Sequence, residues 1–232
     1  MAETAVPRWM NQLWLLVIFA AVLMAIVIWS AVAAAKRRKA LGEVARRLGF
    51  DFDPDAHDGD AIAGRYPNFD PFGRGRARRA SNVLRGRRGD VEFELFDYRF
   101  TTGSGKNKRT HRYGIAAARV PVRFRSLRIR PEGIFDKLAS FAGFDDINFE
   151  SHEFSARYHV ACDDRQFAYQ VIHPQTIEHL LRCPPLSWQM NGTVIVIHRS
   201  GAFKPEEIPR VVESIEGFVR MVPAFVRKDV AV

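Results

Sequence analysis

Between Leu13 and Ala35 lie 23 residues without a charged side chain, and Ser30 is the only conventionally polar one. A helix rising about 1.5 Å per residue would carry them roughly 34 Å, against about 30 Å of bilayer hydrocarbon. Trp14 and Trp29 fall toward the two ends, where indole rings favour the interface. A buried helix of a soluble core is rarely so long or so uniformly apolar. The run therefore reads as a single transmembrane helix over residues 13–35. Lys36, Arg37, Arg38 and Lys39 follow at once, then Arg46 and Arg47, while only Arg8 and the amino terminus precede it, opposed by Glu3. The positive-inside rule places residues 1–12 outside and the C-terminal part in the cytoplasm, on the inner (plasma) membrane.

A cleaved signal peptide is the rival, because Ala31-Val32-Ala33 and Ala33-Ala34-Ala35 both have the small-x-small form. The apolar run exceeds the usual 7–15 residues of a signal core, its leading segment is barely basic, and the basic cluster would have to cross the membrane directly after cleavage. The anchor accounts better for all three features.

Beyond the anchor the chain is globular in composition. Of 232 residues, 47% are apolar and 26% charged, which excludes a mainly disordered chain. Two cysteines exclude a disulfide scaffold. Residues 36–60 read as a basic neck helix, with Leu41, Val44, Ala45 and Leu48 at helical spacing and Gly49 as its stop, followed by an acidic loop from Asp51 to Asp60. Residues 61–232 form the soluble domain, with a possible subdivision near 131.

Within it, residues 61–80 read as irregular, with room for one short strand. Strands are predicted over Ala80–Gly86, Val91–Thr101, Thr110–Val120 and Phe124–Arg130, as an antiparallel meander. A short helix follows over Gly133–Phe141, then a strand over Phe154–Cys162. Asp163 with Gln166 suggests a capping box, and Pro174 opens a further helix with Ile177, Leu180 and Leu181 inward. Leu186–Met190 and Thr193–His198 flank Asn191-Gly192, the pattern of a type I′ hairpin. From Pro205 to Val222, Ile208, Val211, Val212, Ile215, Phe218, Val219 and Val222 make one apolar stripe of a terminal helix. The fold class is α+β: a transmembrane helix, a largely antiparallel sheet with short helices, and a packed C-terminal helix.

Leu95-Phe96-Asp97-Tyr98-Arg99-Phe100-Thr101-Thr102, the Asp145–Tyr158 stretch with Phe154 and Arg157, and Ala168–Leu181 with His173-Pro174 resemble a group of bacterial single-span membrane proteins with a cytoplasmic α+β domain. These motifs are aromatic and structural, and the group carries no assigned activity. The resemblance implies the fold and the address and adds no chemistry.

Charge is the strongest functional signal. The chain carries +9 overall, yet residues 36–130 hold 24 Lys/Arg against 11 Asp/Glu, and residues 131–232 hold 10 against 14. Arg74, Arg76, Arg78, Arg79, Arg85, Arg87 and Arg88 fall within 71–89 with no acid among them. Together with Lys36, Arg37, Arg38 and Lys39 they are candidate contacts to an anionic lipid surface, since each Lys/Arg near the inner leaflet gains about 1 kcal/mol. A solvated arginine-rich surface fits the same residues. Nucleic acid fits less well, because Phe96, Tyr98 and Phe100 read as core and no nucleic-acid motif is present.

Other constellations are weak. Gly103-Ser104-Gly105-Lys106 lacks the leading Gly and the trailing Ser/Thr of a phosphate loop. His159-x-x-Cys162 and His179-x-x-x-Cys183 have the form of zinc half-sites, but two buried thiols and two ordinary histidines are the better account. The aspartates of 51–60 match no calcium-loop register. No catalytic motif and no cofactor signature is read, and no nucleophile can be named. Two functions stay in view: a non-enzymatic module whose basic face meets the membrane or a membrane partner, and a membrane-tethered enzyme. A concave site with converging ionisable groups would favour the second.

Overall fold

The computed structural model describes residues 8–132, 147 and 149–228. The chain divides into two units, Met1–Leu41 and Gly42–Val232. The predicted helix over Gly133–Phe141 lies outside the described residues.

Helix α1 runs unbroken over Arg8–Leu48. From Leu16 to Val32 its large apolar side chains are exposed, Trp29 at 75% among them. Ser30 donates its hydroxyl to the Val27 carbonyl (2.8 Å), so the one polar side chain of the run is satisfied within the helix. The helix ends as its sequence predicts. Gly49 takes a φ of +72°, and the Phe50 N–H reaches back to the Ala45 carbonyl (2.8 Å), the glycine-dependent C-terminal motif.

The second unit is built on one seven-stranded antiparallel sheet. Its strands are β1 (Asp51–Asp53), β2 (His57–Asp58), β3 (Arg76–Arg88), β4 (Val91–Thr102), β5 (Arg109–Pro131), β6 (Tyr158–Cys162) and β7 (Ser187–Ser200). The order is β1-β3-β4-β5-β6, with β2 also paired to β3 and β7 to β5. The helices are α2 (Gly59–Arg65), α3 (His152–Arg157), α4 (Arg165–Val171), α5 (Pro174–Arg182), α6 (Ile208–Met221) and α7 (Ala224–Lys228). The α+β class, the antiparallel sheet and the packed terminal helix stand as the sequence implied.

Six local expectations differ. Residues 61–80, read as irregular, open in helix α2, which runs over Gly59–Arg65. The acidic segment after Phe50 is not a loop throughout. Asp51 and Asp53 lie in edge strand β1, with Asp51 opposite Arg85, and Asp58 caps α2 by accepting from the Asp60 N–H (3.0 Å). The strands predicted over Thr110–Val120 and Phe124–Arg130 are one strand, β5. Pro121 has no N–H to give the ladder, and the ladder steps around it: Arg119 pairs with Val194, and the next pair is Phe124 with Gly192. The Asn191-Gly192 hairpin does not form. A type I′ turn needs positive φ at both residues, and only Gly192 has it, at +56°. The pair becomes an irregularity within β7, because β5 offers a partner on both sides of it.

The segment predicted as a strand from Phe154 begins as helix α3, since the Ser151 hydroxyl caps the Phe154 N–H (3.3 Å), and turns to strand only at Tyr158. Finally, α4 is capped by Asp164 rather than Asp163, its carboxylate accepting from the Phe167 N–H (2.9 Å).

The sheet curls. Gln189 and His198 stand nine positions apart on β7, about 30 Å along a straight strand. Yet Gln189 Nε2 and His198 Nε2 are 2.8 Å apart. The register breaks between Arg119, Phe124 and Leu127 supply the bend, as bulges do. One face of the curl is filled by Phe96, Tyr98, Phe100, Ile115 and Ala117, with Ile62, Phe69 and Phe72 packed over them from the α2 region. On the other face α6 packs against β5, and Phe218 meets the rings of Phe124 and Trp188 at 6.2 and 5.4 Å.

Candidate functional site

The bend of β5 and β7 leaves a cavity of about 280 Å³. Alternation along the strands decides what faces it. Ile129 pairs with Trp188 and Leu127 with Met190, all four buried, and Trp188 is turned to α6. The residues between them, Arg128 and its partner Gln189, and then Arg130, take the opposite face and line the cavity. From the far arm of the curl come His111 and Tyr113 of β5 and His198 and Ser200 of β7. Arg199, Ser187, Asp70, Pro71 and Arg74 complete it, with Trp188 also at its wall.

Gln189 holds this assembly together. Its Oε1 accepts from the Asp70 N–H (3.0 Å), and its Nε2 reaches the Asp70 carbonyl (3.2 Å) and His198 Nε2 (2.8 Å). A buried amide so engaged ties the α2–β3 segment to the inside of the curl. His111 Nε2 lies 2.7 Å from Thr102 Oγ1, and its ring stacks on Phe100 with centroids 4.9 Å apart. Both imidazoles thus use Nε2 on neutral side chains of the fold. Four guanidiniums line the cavity, and Asp70 is its one acidic lining residue, bonded to Arg74 at 2.9 Å. Arg199 also bonds Glu207 at 3.0 Å. The wall is rich in donors and poor in acceptors, which suits an anion.

The arginines of residues 74–88 do not form one patch. Five meet carboxylates that lie outside the run: Arg74 with Asp70, Arg78 with Asp60 (2.7 Å), Arg85 with Glu94 (2.8 Å), Arg87 with Glu92, and Arg88 with Glu216 of α6 (3.0 Å). Arg76 donates to the Gly103 carbonyl (2.9 Å), and Arg79 is exposed. Arg74 enters the cavity, whereas Arg85 and Arg87 line an open groove with Glu92, Glu94 and Tyr66. There Tyr66 donates to Glu94 (2.8 Å); burial first, then that carboxylate, pushes its phenol well above the ordinary range. Lys36 to Lys39 belong to α1 and to the other unit.

The histidines and cysteines of the zinc pattern do not assemble into one site, though His179 and Cys183 are neighbours. His159 pairs with Glu132 (2.6 Å), while His179 lies 2.9 Å from the Ser214 carbonyl and 3.6 Å from the Cys183 thiol. Among the described residues no three His, Cys, Asp or Glu side chains gather as a metal site. Burial pushes the Cys162 thiol up to about 11, so it disfavours the thiolate that a metal needs.

None of the cavity residues outside the 74–88 run was singled out from sequence. Arg128 and Arg130 lie in the alternating run Phe124–Arg130, whose period-2 pattern puts them on one face; their meeting with His111 and His198 depends on the bend, which no local pattern announces.

The chain is thus an α+β protein with an N-terminal helix long and apolar enough to cross a membrane and a cationic cavity in a curled sheet. Its fold is similar to that of the mycobacterial trehalose monomycolate transport factor A, TtfA, with a TM-score of 0.59 over 81% of this chain and 93% of that one, at 11% sequence identity. At that identity the likeness concerns the fold alone. No family model and no curated protein sequence matches the chain.

Proposed function

We propose that the protein is a single-pass, membrane-anchored, non-enzymatic accessory module whose folded unit works at the cytoplasmic face. The observation that carries this reading is α1: an apolar surface exposed from Leu16 to Val32 runs without a break into Lys36-Arg37-Arg38-Lys39. Such a surface needs lipid to cover it. Helix continuing through Ala31–Ala35 favours the anchor over a cleavable leader. The likeness to a transport factor's fold is consistent with a membrane-associated accessory role. The concave site keeps the enzyme reading in view, but both histidine Nε2 atoms are used on Thr102 and Gln189, an arrangement better suited to holding a ligand than to moving a proton.

In this reading Lys36 to Lys39 meet anionic headgroups, and the arginines of residues 74–88 add to the attraction. Because five are balanced by carboxylates, Arg76 and Arg79 contribute most of the group's net pull. A reporter that works only in the cytoplasm, fused after Val232, should be active. An inactive fusion there, with activity restored for an export-dependent reporter, would invert the topology. Residues 36–232 should float with vesicles containing anionic lipid, and Arg76→Gln with Arg79→Gln should weaken this about 30-fold, from about 1 kcal/mol per arginine. Equal flotation with neutral vesicles would remove the lipid-surface role.

A further inference from the structure

We propose that the cavity between the arms of β5 and β7 is a binding site for a phosphoryl group, carried by a small phosphate monoester or by a monoester lipid headgroup. The inference goes beyond the membrane-anchoring role and does not depend on it, because every wall of the cavity belongs to the folded unit.

The chemistry follows from the lining. Arg74, Arg128, Arg130 and Arg199 bring four guanidiniums to one cavity of about 280 Å³, with Asp70 as its one acidic lining residue. A guanidinium carries five N–H donors in a fixed fork, so an ion pair along one edge leaves donors on the others. Tyr113, Ser187 and Ser200 add hydroxyls that turn to suit an acceptor. A ligand that fits must be rich in acceptors, negative and compact. A phosphate monoester meets all three conditions, and its oxygens match the planar fork better than a lysine point charge would allow. The volume sits at the lower bound of small-molecule sites, about 300 Å³, so the phosphoryl group and a body of a few atoms fill it.

The site is also held in shape. The Gln189 amide bonds both backbone groups of Asp70 and reaches His198 across the curl, so the arms are fixed before any ligand arrives. Such preorganisation lowers the ordering cost of binding. Arg128 and Arg130 project from strand rather than loop, two positions apart on one face, with Leu127 and Ile129 anchoring the other face in the core. A site on paired strands is positioned more precisely than one on loops.

The experiment is calorimetric titration of the full chain in detergent, with inorganic phosphate and glycerol 3-phosphate as soluble probes. In parallel, the full chain in nanodiscs of neutral lipid is compared with nanodiscs containing phosphatidic acid, by melting temperature. Saturable binding of either soluble probe at a stoichiometry of one supports the proposal and assigns a soluble source. A melting shift with phosphatidic acid, absent with phosphatidylglycerol at equal charge, supports it and assigns a lipid source. Arg128→Gln and Arg130→Gln should each weaken binding at least about tenfold, and Arg128→Lys less, since charge remains and the fork is lost. Arg182→Gln, at an exposed position of α5, should bind as the parent does. Should a Gln variant lose its melting transition, the Lys variant carries the comparison. No saturable binding of any probe, or undiminished binding by folded Arg128 and Arg130 variants, overturns the proposal.

Discussion

Glu207 shows how one side chain can serve two elements. Its carboxylate accepts from the Lys204 N–H (2.7 Å), capping the turn that opens α6, and from Arg199 at 3.0 Å. Burial alone would raise its pKa, but the Lys204 N–H and the Arg199 guanidinium outweigh that and leave it below the usual glutamate value. The sign follows: a depressed carboxylate contributes stability above its unfolded pKa of about 4.3, and that contribution is lost as pH falls through the folded value. Glu207→Gln should cost about 1 kcal/mol at neutral pH, and its difference from the parent should shrink below about pH 4. Melting curves across pH check this; a constant difference down to pH 3 would remove the carboxylate from the account. Cys162 has the opposite sense. With its thiol held up near 11 by burial, native-state alkylation at pH 8 should be far slower than in the denatured chain. Glu207 was not singled out from sequence, although an acid at a helix start fits the pattern of a cap. Nor was its second partner, Arg199 on the preceding strand. The same limit applied to Arg74–Arg88: a local window counted no acids, while the sheet and its neighbours brought Asp60, Asp70, Glu92, Glu94 and Glu216 against them.

Helix α6 is the element whose sequence stated its packing most fully. Ile208, Val211, Val212, Ile215 and Phe218 are buried, as the apolar stripe predicts. Ile215→Asp would bury an unpaired charge at a fully enclosed position and should cost about 4 kcal/mol. Gly217 marks the contact with α5, where an added Cβ would lie 2.3 Å from His179 Cε1. Gly217→Ala should destabilise by about 1–3 kcal/mol although alanine favours helix, because His179, bonded to the Ser214 carbonyl, has to move. A more stable alanine variant would show that the two helices have slack. Strands were less legible than helices. Pro121 and Asn191-Gly192 both read locally as ends of strands, and each lies inside one. A hairpin turn and a long-range bulge use the same residues, and the choice between them depends on whether a partner strand runs past. Here β5 does, pairing β4 and then β6 on one edge and β7 along the other. The cavity inherits that dependence, because its arms exist only where those strands bend together.

At the scale of the whole molecule, the proposed attachment to the membrane would be a contest between the apolar run and whatever charge it must carry. Leu, Ile, Val and Phe number 12 between Leu13 and Ala35. At about 0.3–0.6 kcal/mol each on the insertion scale they contribute about 4–7 kcal/mol. Two arginines near the helix centre cost about 5–7 kcal/mol on that scale, so Met24→Arg with Val27→Arg should make insertion fail. Surface attraction through the basic residues would survive this change, but it is screened over about 3 Å at 1 M salt against 10 Å at 0.1 M. The parent protein should therefore stay with membranes through 1 M salt and alkaline carbonate, while the double variant should be released by salt alone. In the proposed reading, basic contacts would add to the anchor: each would be worth about 1 kcal/mol, and none would replace a span. Membrane fractionation of both proteins decides the matter. A parent extracted by carbonate would mean that α1 lies outside the hydrocarbon, and a double variant retained at 1 M salt would mean that something other than α1 holds the protein to the membrane.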